Sequence, residues 1–209
     1  MIIVNFKAYR EATGKKAEKL SEQCQKASNS SGEKVISVPQ HTDMGRVKGD
    51  VFGQHIDPVE PGSHTGHTTA EALKASGASG TLINHSEKRI KPEKIQKSVK
   101  KAEEKGLTSV VCAQSPEECE KFSKFNPDFV AFEPLELIGG DISVSSARPE
   151  LIQEAVERSE VDVLTGAGIK SREDVEKSVE LGCKGVLVAS AVVKAENSYK
   201  EIMELTKGL

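Results

Sequence analysis

Tryptophan is absent from the chain, and two Tyr and six Phe bring the aromatic share of its 209 residues to only 4%. Nucleic-acid strands are commonly held on stacked aromatic faces, so this composition argues against such a platform. No sign of charge dominates either: the formal net charge is −3 with 29% charged residues, which excludes a disordered polyelectrolyte and points to a small, soluble partner. No apolar run approaches the ~18 residues needed to cross a bilayer, and the start "MIIVNFKAYR" lacks the basic region and cleavage site of a secretory leader. The four cysteines, Cys24, Cys112, Cys119 and Cys183, form no C-x-x-C pair and read as reduced, packed thiols. The expectation is a cytoplasmic protein without disulfides, without a membrane and without nucleic acid.

What the chain does have is a regular succession of short β-branched or apolar runs. They are Ile2–Phe6, Lys34–Val38, Val51–Gln54, Thr81–Asn84, Thr108–Cys112, Asp128–Phe132, Val161–Thr165 and Gly185–Ala189, eight candidate strands in all. Helical segments separate them, with start signals such as Ser115 before Pro116 and Ser171 before "REDVEKSVEL", the latter closed by Gly182. Apolar strands alternating with helices imply a parallel sheet covered on its outer face, and eight such units close into a (β/α)8 barrel. Residues 1–209 are expected to form a single barrel domain, trimmed relative to the ~250 residues typical of the architecture. The trimming is locatable: "PQHTDMGRVKGD", Pro39 to Asp50, barely reaches the ~10–12 residues of a whole crossover, so the second helix should be a stub. An open flavodoxin-like sheet is the main alternative, but it leaves several of the runs without a place.

In such a barrel the chemistry sits at the C-terminal ends of the strands. The residues there are Lys7, His41, His55, His85, Gln114, Glu133, Gly166 to Gly168, and Ser190. Glu133 is the first candidate, because a carboxylate partly shielded from water at a barrel mouth can accept a proton from carbon. An isolated Glu is more often a cap or half of an ion pair, but Pro134 and the glycines at 139 and 140 add a segment able to act as a lid. A neutral His85 imidazole can donate a hydrogen bond to a carbonyl or move a proton between neighbouring oxygens; the plainer reading is a His bonded to backbone. Lys7, directly after the first strand, can stabilise an enediolate oxygen and a phosphate dianion. "TGAGI" and "VASAVV", after strands seven and eight, stand where many barrels bind phosphate on backbone N–H groups.

Six segments in order resemble the triosephosphate isomerase family, in particular its short archaeal form. They are Asn5-Phe6-Lys7, "FGQHIDPVEPGSHTGHT" from Phe52, "INHSEKR" from Ile83, "FEPLELIGG" from Phe132, "GAGI" from Gly166 and "VLVASAVVKA" from Val186. The resemblance implies interconversion of dihydroxyacetone phosphate and glyceraldehyde 3-phosphate in glycolysis and gluconeogenesis, with Glu133 as base and His85 as electrophile. This family is itself a standard illustration of a Glu base paired with a neutral His. It further implies substrate contacts from Asn5 and Lys7, a phosphate site at Ile138, Gly139, Gly168, Ala189 and Ser190, and a supporting acid at Glu87. No metal or organic cofactor is implied. "PGSHTGH" resembles the family's interdigitating loop, so Thr65 would reach across a homodimer interface, with a homotetramer as the larger assembly.

Three departures from the family pattern stand out: the stub helix, Leu135 in place of a second proline, and Gly139-Gly140-Asp141 in place of Gly-Thr-Gly. An extra glycine and a carboxylate in the lid lead to the hypothesis that it closes less efficiently. No gain in turnover on restoring proline at 135 and glycine at 141 would count against it. The rival enzyme reading is a metal-dependent sugar-phosphate epimerase with His41, His55 and Asp57 as ligands, the His64 and His67 pair resembling a second metal motif. A phosphate-binding barrel that has lost catalysis is the rival from another class.

Overall fold

The computed structural model describes residues 1–134, 145 and 148–209. Leu135, Ile138, Gly139, Gly140 and Asp141, on which the lid expectations and two phosphate contacts fall, lie outside the described residues. Eight parallel strands close into a barrel in chain order: β1 (Ile2–Asn5), β2 (Val35–Val38), β3 (Asp50–Gly53), β4 (Gly80–Ile83), β5 (Thr108–Ala113), β6 (Phe129–Phe132), β7 (Asp162–Thr165) and β8 (Val186–Val188). Closure runs through β1 and β8, where Ile2, Ile3 and Val4 pair with Val186, Leu187 and Val188, so the open-sheet alternative is excluded.

The crossovers carry α1 (Lys15–Ser31), α2 (Ala70–Ala75), α3 (Pro92–Glu104), α4 (Pro116–Ser123), α5 (Pro149–Arg158), α6 (Arg172–Glu180), α7 (Ser190–Val193) and α8 (Ser198–Thr206). Between β2 and β3 there is only a 3-10 turn, His41–Arg46, which is the expected stub. The start signals act as their chemistry predicts. Ser115 accepts the Glu118 N–H at the head of α4, and Ser171 and Asp174 form a reciprocal capping box on α6.

Strand alternation divides the core in two. Ile3, Ile36, Phe52, Leu82, Val110, Ala131, Leu164 and Leu187 form one buried cluster that fills the barrel. Their neighbours Val4, Val35, Val51, Ile83, Val111, Val130, Val163 and Val188 belong to the clusters packed beneath the helices. Phe52 needs unusual room, which Gly80 provides: a Cβ at position 80 would sit 2.6 Å from the Phe52 ring. All four cysteines are buried free thiols.

Candidate active site

The alternation that puts Ile3, Ala131, Leu164 and Leu187 inside the barrel continues past the strand ends, so Asn5, Glu133, Gly166 and Ala189 face the C-terminal mouth. All four line one cleft together with Lys7, His85, Gly168 and Ser190. The cleft thus draws these eight residues from the ends of β1, β4, β6, β7 and β8, while Glu87 and Thr65 lie outside it.

Lys7 reaches this cleft from a backbone with φ +46°, the left-handed region that costs a side-chain-bearing residue about 1–3 kcal/mol. Its neighbours hold it there. The Lys7 N–H donates to Asn5 Oδ1 at 2.9 Å, and the Lys7 carbonyl accepts from Gln54 Nε2 at 2.9 Å. Its side chain is 14% exposed, and the ammonium donates to Glu87 Oε1 at 2.9 Å. Glu87 is thus the ion-pair partner of Lys7.

His85 follows β4 at a position that simple alternation would turn outward. Asn84 breaks the alternation: its φ is +65°, and its side chain donates to the Cys112 carbonyl at 2.9 Å and accepts from the Ile90 N–H at 3.0 Å. Asparagine tolerates this conformation better than other side-chain-bearing residues, and the turn it makes aims the next side chain at the mouth. His85 Nδ1 accepts the Glu87 N–H at 3.2 Å, so a singly protonated ring carries its proton on Nε2. That nitrogen lies 3.5 Å from Glu133 Oε1.

Glu133 is 2% exposed, and its Oε2 is buried with no hydrogen-bond partner among the described residues. A buried, unpartnered carboxylate oxygen is costly unless a ligand completes it. Its backbone is fixed by continuing the ladder, the Glu133 N–H donating to Ala113 and the Gly166 N–H to Phe132. Beside it, burial pushes the Cys112 thiol well above its ordinary value, and the Glu133 carboxylate adds to the effect.

His41, His55 and Asp57 gather on the adjoining rim in a network through Thr68 that leaves His41 Nε2 buried without a hydrogen-bond partner among the described residues. Asp57 takes His55 Nε2 at 3.2 Å on one oxygen and the Thr68 N–H at 2.8 Å on the other, while Thr68 Oγ1 lies 3.1 Å from His41 Nδ1. Burial pushes both imidazoles below their ordinary value, which favours the neutral rings. This network ties the base of the loop at 58–67, whose tip, including Thr65, is exposed. His64 and His67 meet edge to face there at 5.6 Å. Among the described residues no group of three or more His, Cys, Asp or Glu is placed to hold a metal ion. Gln114 points its N–H at Glu118 and does not line the cleft.

Three contributors escaped the sequence reading: Asn84, Gln54 and the relation of Gly166 to Glu133. The signal for the first was present, since Asn is a common left-handed residue at a strand end. The other two depend on contacts between strands distant in sequence.

Comparison with known proteins adds an independent line. The family model for triosephosphate isomerase matches residues 1–206. The chain is 46% identical to triosephosphate isomerase of Methanothermus fervidus, over 98% of this chain and 96% of that protein. It is 41% identical to the protein of the same name from Methanocaldococcus jannaschii, over 99% of both chains. To that from Archaeoglobus fulgidus it is 42% identical, over 98% of this chain and 96% of the relative.

Proposed function

The chain belongs to the triosephosphate isomerase family, and from that premise we propose how its own residues interconvert dihydroxyacetone phosphate and glyceraldehyde 3-phosphate through an enediolate. One observation carries the reading: Glu133 Oε2 is buried without a hydrogen-bond partner among the described residues, while Oε1 lies 3.5 Å from His85 Nε2. A base and a hydrogen-bond donor thereby stand together in one cleft, where a carbon acid and its carbonyl oxygen would sit side by side.

In this proposal Glu133 takes the proton from C1 of the ketose and returns it to C2. His85 donates from Nε2 to the carbonyl oxygen as negative charge develops there, then moves a proton between the two oxygens of the enediolate. The Lys7 ammonium stabilises the same oxygen and the phosphate dianion, and Asn5 orients both Lys7 and substrate. The phosphate lies against Gly168, Ala189 and Ser190, where the first N–H groups of α7 have no partner within the helix. Ile138 and Gly139 would complete that side. A metal or organic cofactor has no step to perform, so turnover is expected to persist in chelator.

The test is isomerisation of glyceraldehyde 3-phosphate by the purified protein in chelator, coupled to NADH oxidation by glycerol-3-phosphate dehydrogenase. No turnover above a Glu133→Gln control would mean a barrel that binds phosphate without catalysis.

Assembly is part of the proposal. A second pocket shares Asn5, Lys7 and His85 with the cleft and adds Ala8, His41, Gln54, His55, Glu87 and Lys88. We propose that the exposed Thr65 loop of a second copy fills it, giving a homodimer or a homotetramer built from dimers. Thr65→Asp would then shift the sedimentation profile toward monomer and lower kcat/KM about tenfold or more, since small displacements of catalytic groups are costly. A wild-type protein that sediments as a fully active monomer would sink this reading. The proposal also takes residues 1–209 as one domain, and the buried free thiols suit a cytoplasmic setting.

A further inference from the structure

Gln54 follows β3 directly, at the point where ordinary strand pairing has given out. β2 and β3 pair only through Ile36 with Asp50 and Ser37 with Val51, so their backbone ladder stops short of the mouth. Beyond it the Gln54 side chain makes the connection. Its Nε2 donates to the Val38 carbonyl at 3.2 Å and to the Lys7 carbonyl at 2.9 Å. Val38 O also accepts the Phe6 N–H at 3.0 Å, so the ends of β1, β2 and β3 meet at one carboxamide. Both acceptors are carbonyls, and only the NH2 end of the amide can serve them.

Lys7 is the residue with most to lose from a change here. A left-handed lysine persists only where its surroundings over-determine it. The peptide groups on its two sides are fixed by two side-chain amides, Asn5 Oδ1 on the N–H and Gln54 Nε2 on the carbonyl. Without the second amide, the following peptide is free to rotate toward the ordinary α or β region. The long Lys7 side chain would then carry its ammonium away from the cleft.

We propose that Gln54 is a positioning residue for the ammonium of Lys7, holding that lysine's left-handed backbone through the carbonyls of Lys7 and Val38. The inference rests on Lys7 touching the substrate, as proposed above. It is distinct from a plain stitch between β2 and β3, because a stitch would act whether or not position 7 carries an ammonium.

A double-mutant cycle separates the two. Wild type, Gln54→Met, Lys7→Ala and the double variant are titrated with 2-phosphoglycolate, a phosphorylated mimic of the enediolate, and kcat and KM are measured where turnover permits. The expected result is that Gln54→Met weakens the mimic about tenfold, raises KM and lowers kcat together, yet costs at most about twofold in the Lys7→Ala background. Equal losses in both backgrounds, or none in either, overturn the inference. If Lys7→Ala itself leaves the mimic's affinity unchanged, the substrate role of Lys7 fails and this inference falls with it. If Lys7→Ala weakens binding and Gln54→Met does not, the inference alone fails. Should Gln54→Met not fold, Gln54→Asn keeps the amide but is one methylene short, and it enters the same cycle with the same expectations.

Discussion

Glu133→Gln will lower kcat by about 10²–10⁴-fold and leave KM within about threefold, because the change removes proton acceptance and little else. Glutamine has nearly the same shape, and the side chain is 2% exposed, so the packing around it is retained. The amide oxygen can still face His85 Nε2 in place of Glu133 Oε1. What disappears is a group able to hold the proton between its removal from one carbon and its delivery to the next. No neighbour substitutes for it: among the described residues lining the cleft, Glu133 is the only carboxylate. Glu87 does not line this cleft, and its Oε1 accepts from the Lys7 ammonium. The coupled isomerase assay reads the change directly. A Gln variant that keeps kcat within tenfold of wild type would mean that another group takes the proton.

How much of this site could be read before the fold was known depends on what each residue needs. Lys7, His85 and Glu133 were legible because barrel chemistry sits just past strand ends, and the apolar runs marked those ends to within one residue. The stub after β2 was legible because chain length alone sets it. Capping at Ser115 and Ser171 was local chemistry and was read as such. His41, His55 and Asp57 show where that approach stops. As strand-end residues they looked like ligands, yet in the fold His55 pairs with Asp57, and Asp57 and His41 Nδ1 both engage Thr68 at the base of a loop, which is a matter of distances between β2, β3 and the segment after them. Gln54 was hidden for a related reason: its importance lies in carbonyls of two other strands, and an alternation pattern carries no record of where a ladder ends. Left-handed φ at Lys7 is harder still, because lysine is not a residue that advertises it.

Gly166 is the clearest case of a residue whose role appears only in three dimensions. "TGAGI" reads as a phosphate turn, and Gly168, with φ +71°, fits that reading. Gly166 does something else. A Cβ there would sit 2.6 Å from Glu133 Cγ and 3.0 Å from Oε1, so the absent methyl is the space the base occupies. Both β6 and β7 aim inward at this level, and two side chains cannot share it. Gly166 has no positive φ, so alanine is conformationally tolerated and Gly166→Ala probes the contact alone. The carboxylate would have to swing away from the position where it faces His85 Nε2. Displacing a catalytic group by about 1 Å can cost 10²-fold, and that is the loss in kcat expected, with about 1–3 kcal/mol of stability lost to overpacking. The decisive control is the double variant. If Gly166→Ala acts by moving the base, it will have little further effect on kcat in Glu133→Gln, where there is no base left to misplace. A full additional 10²-fold in that background would show that the methyl disturbs something other than Glu133, most directly the neighbouring turn at Gly168.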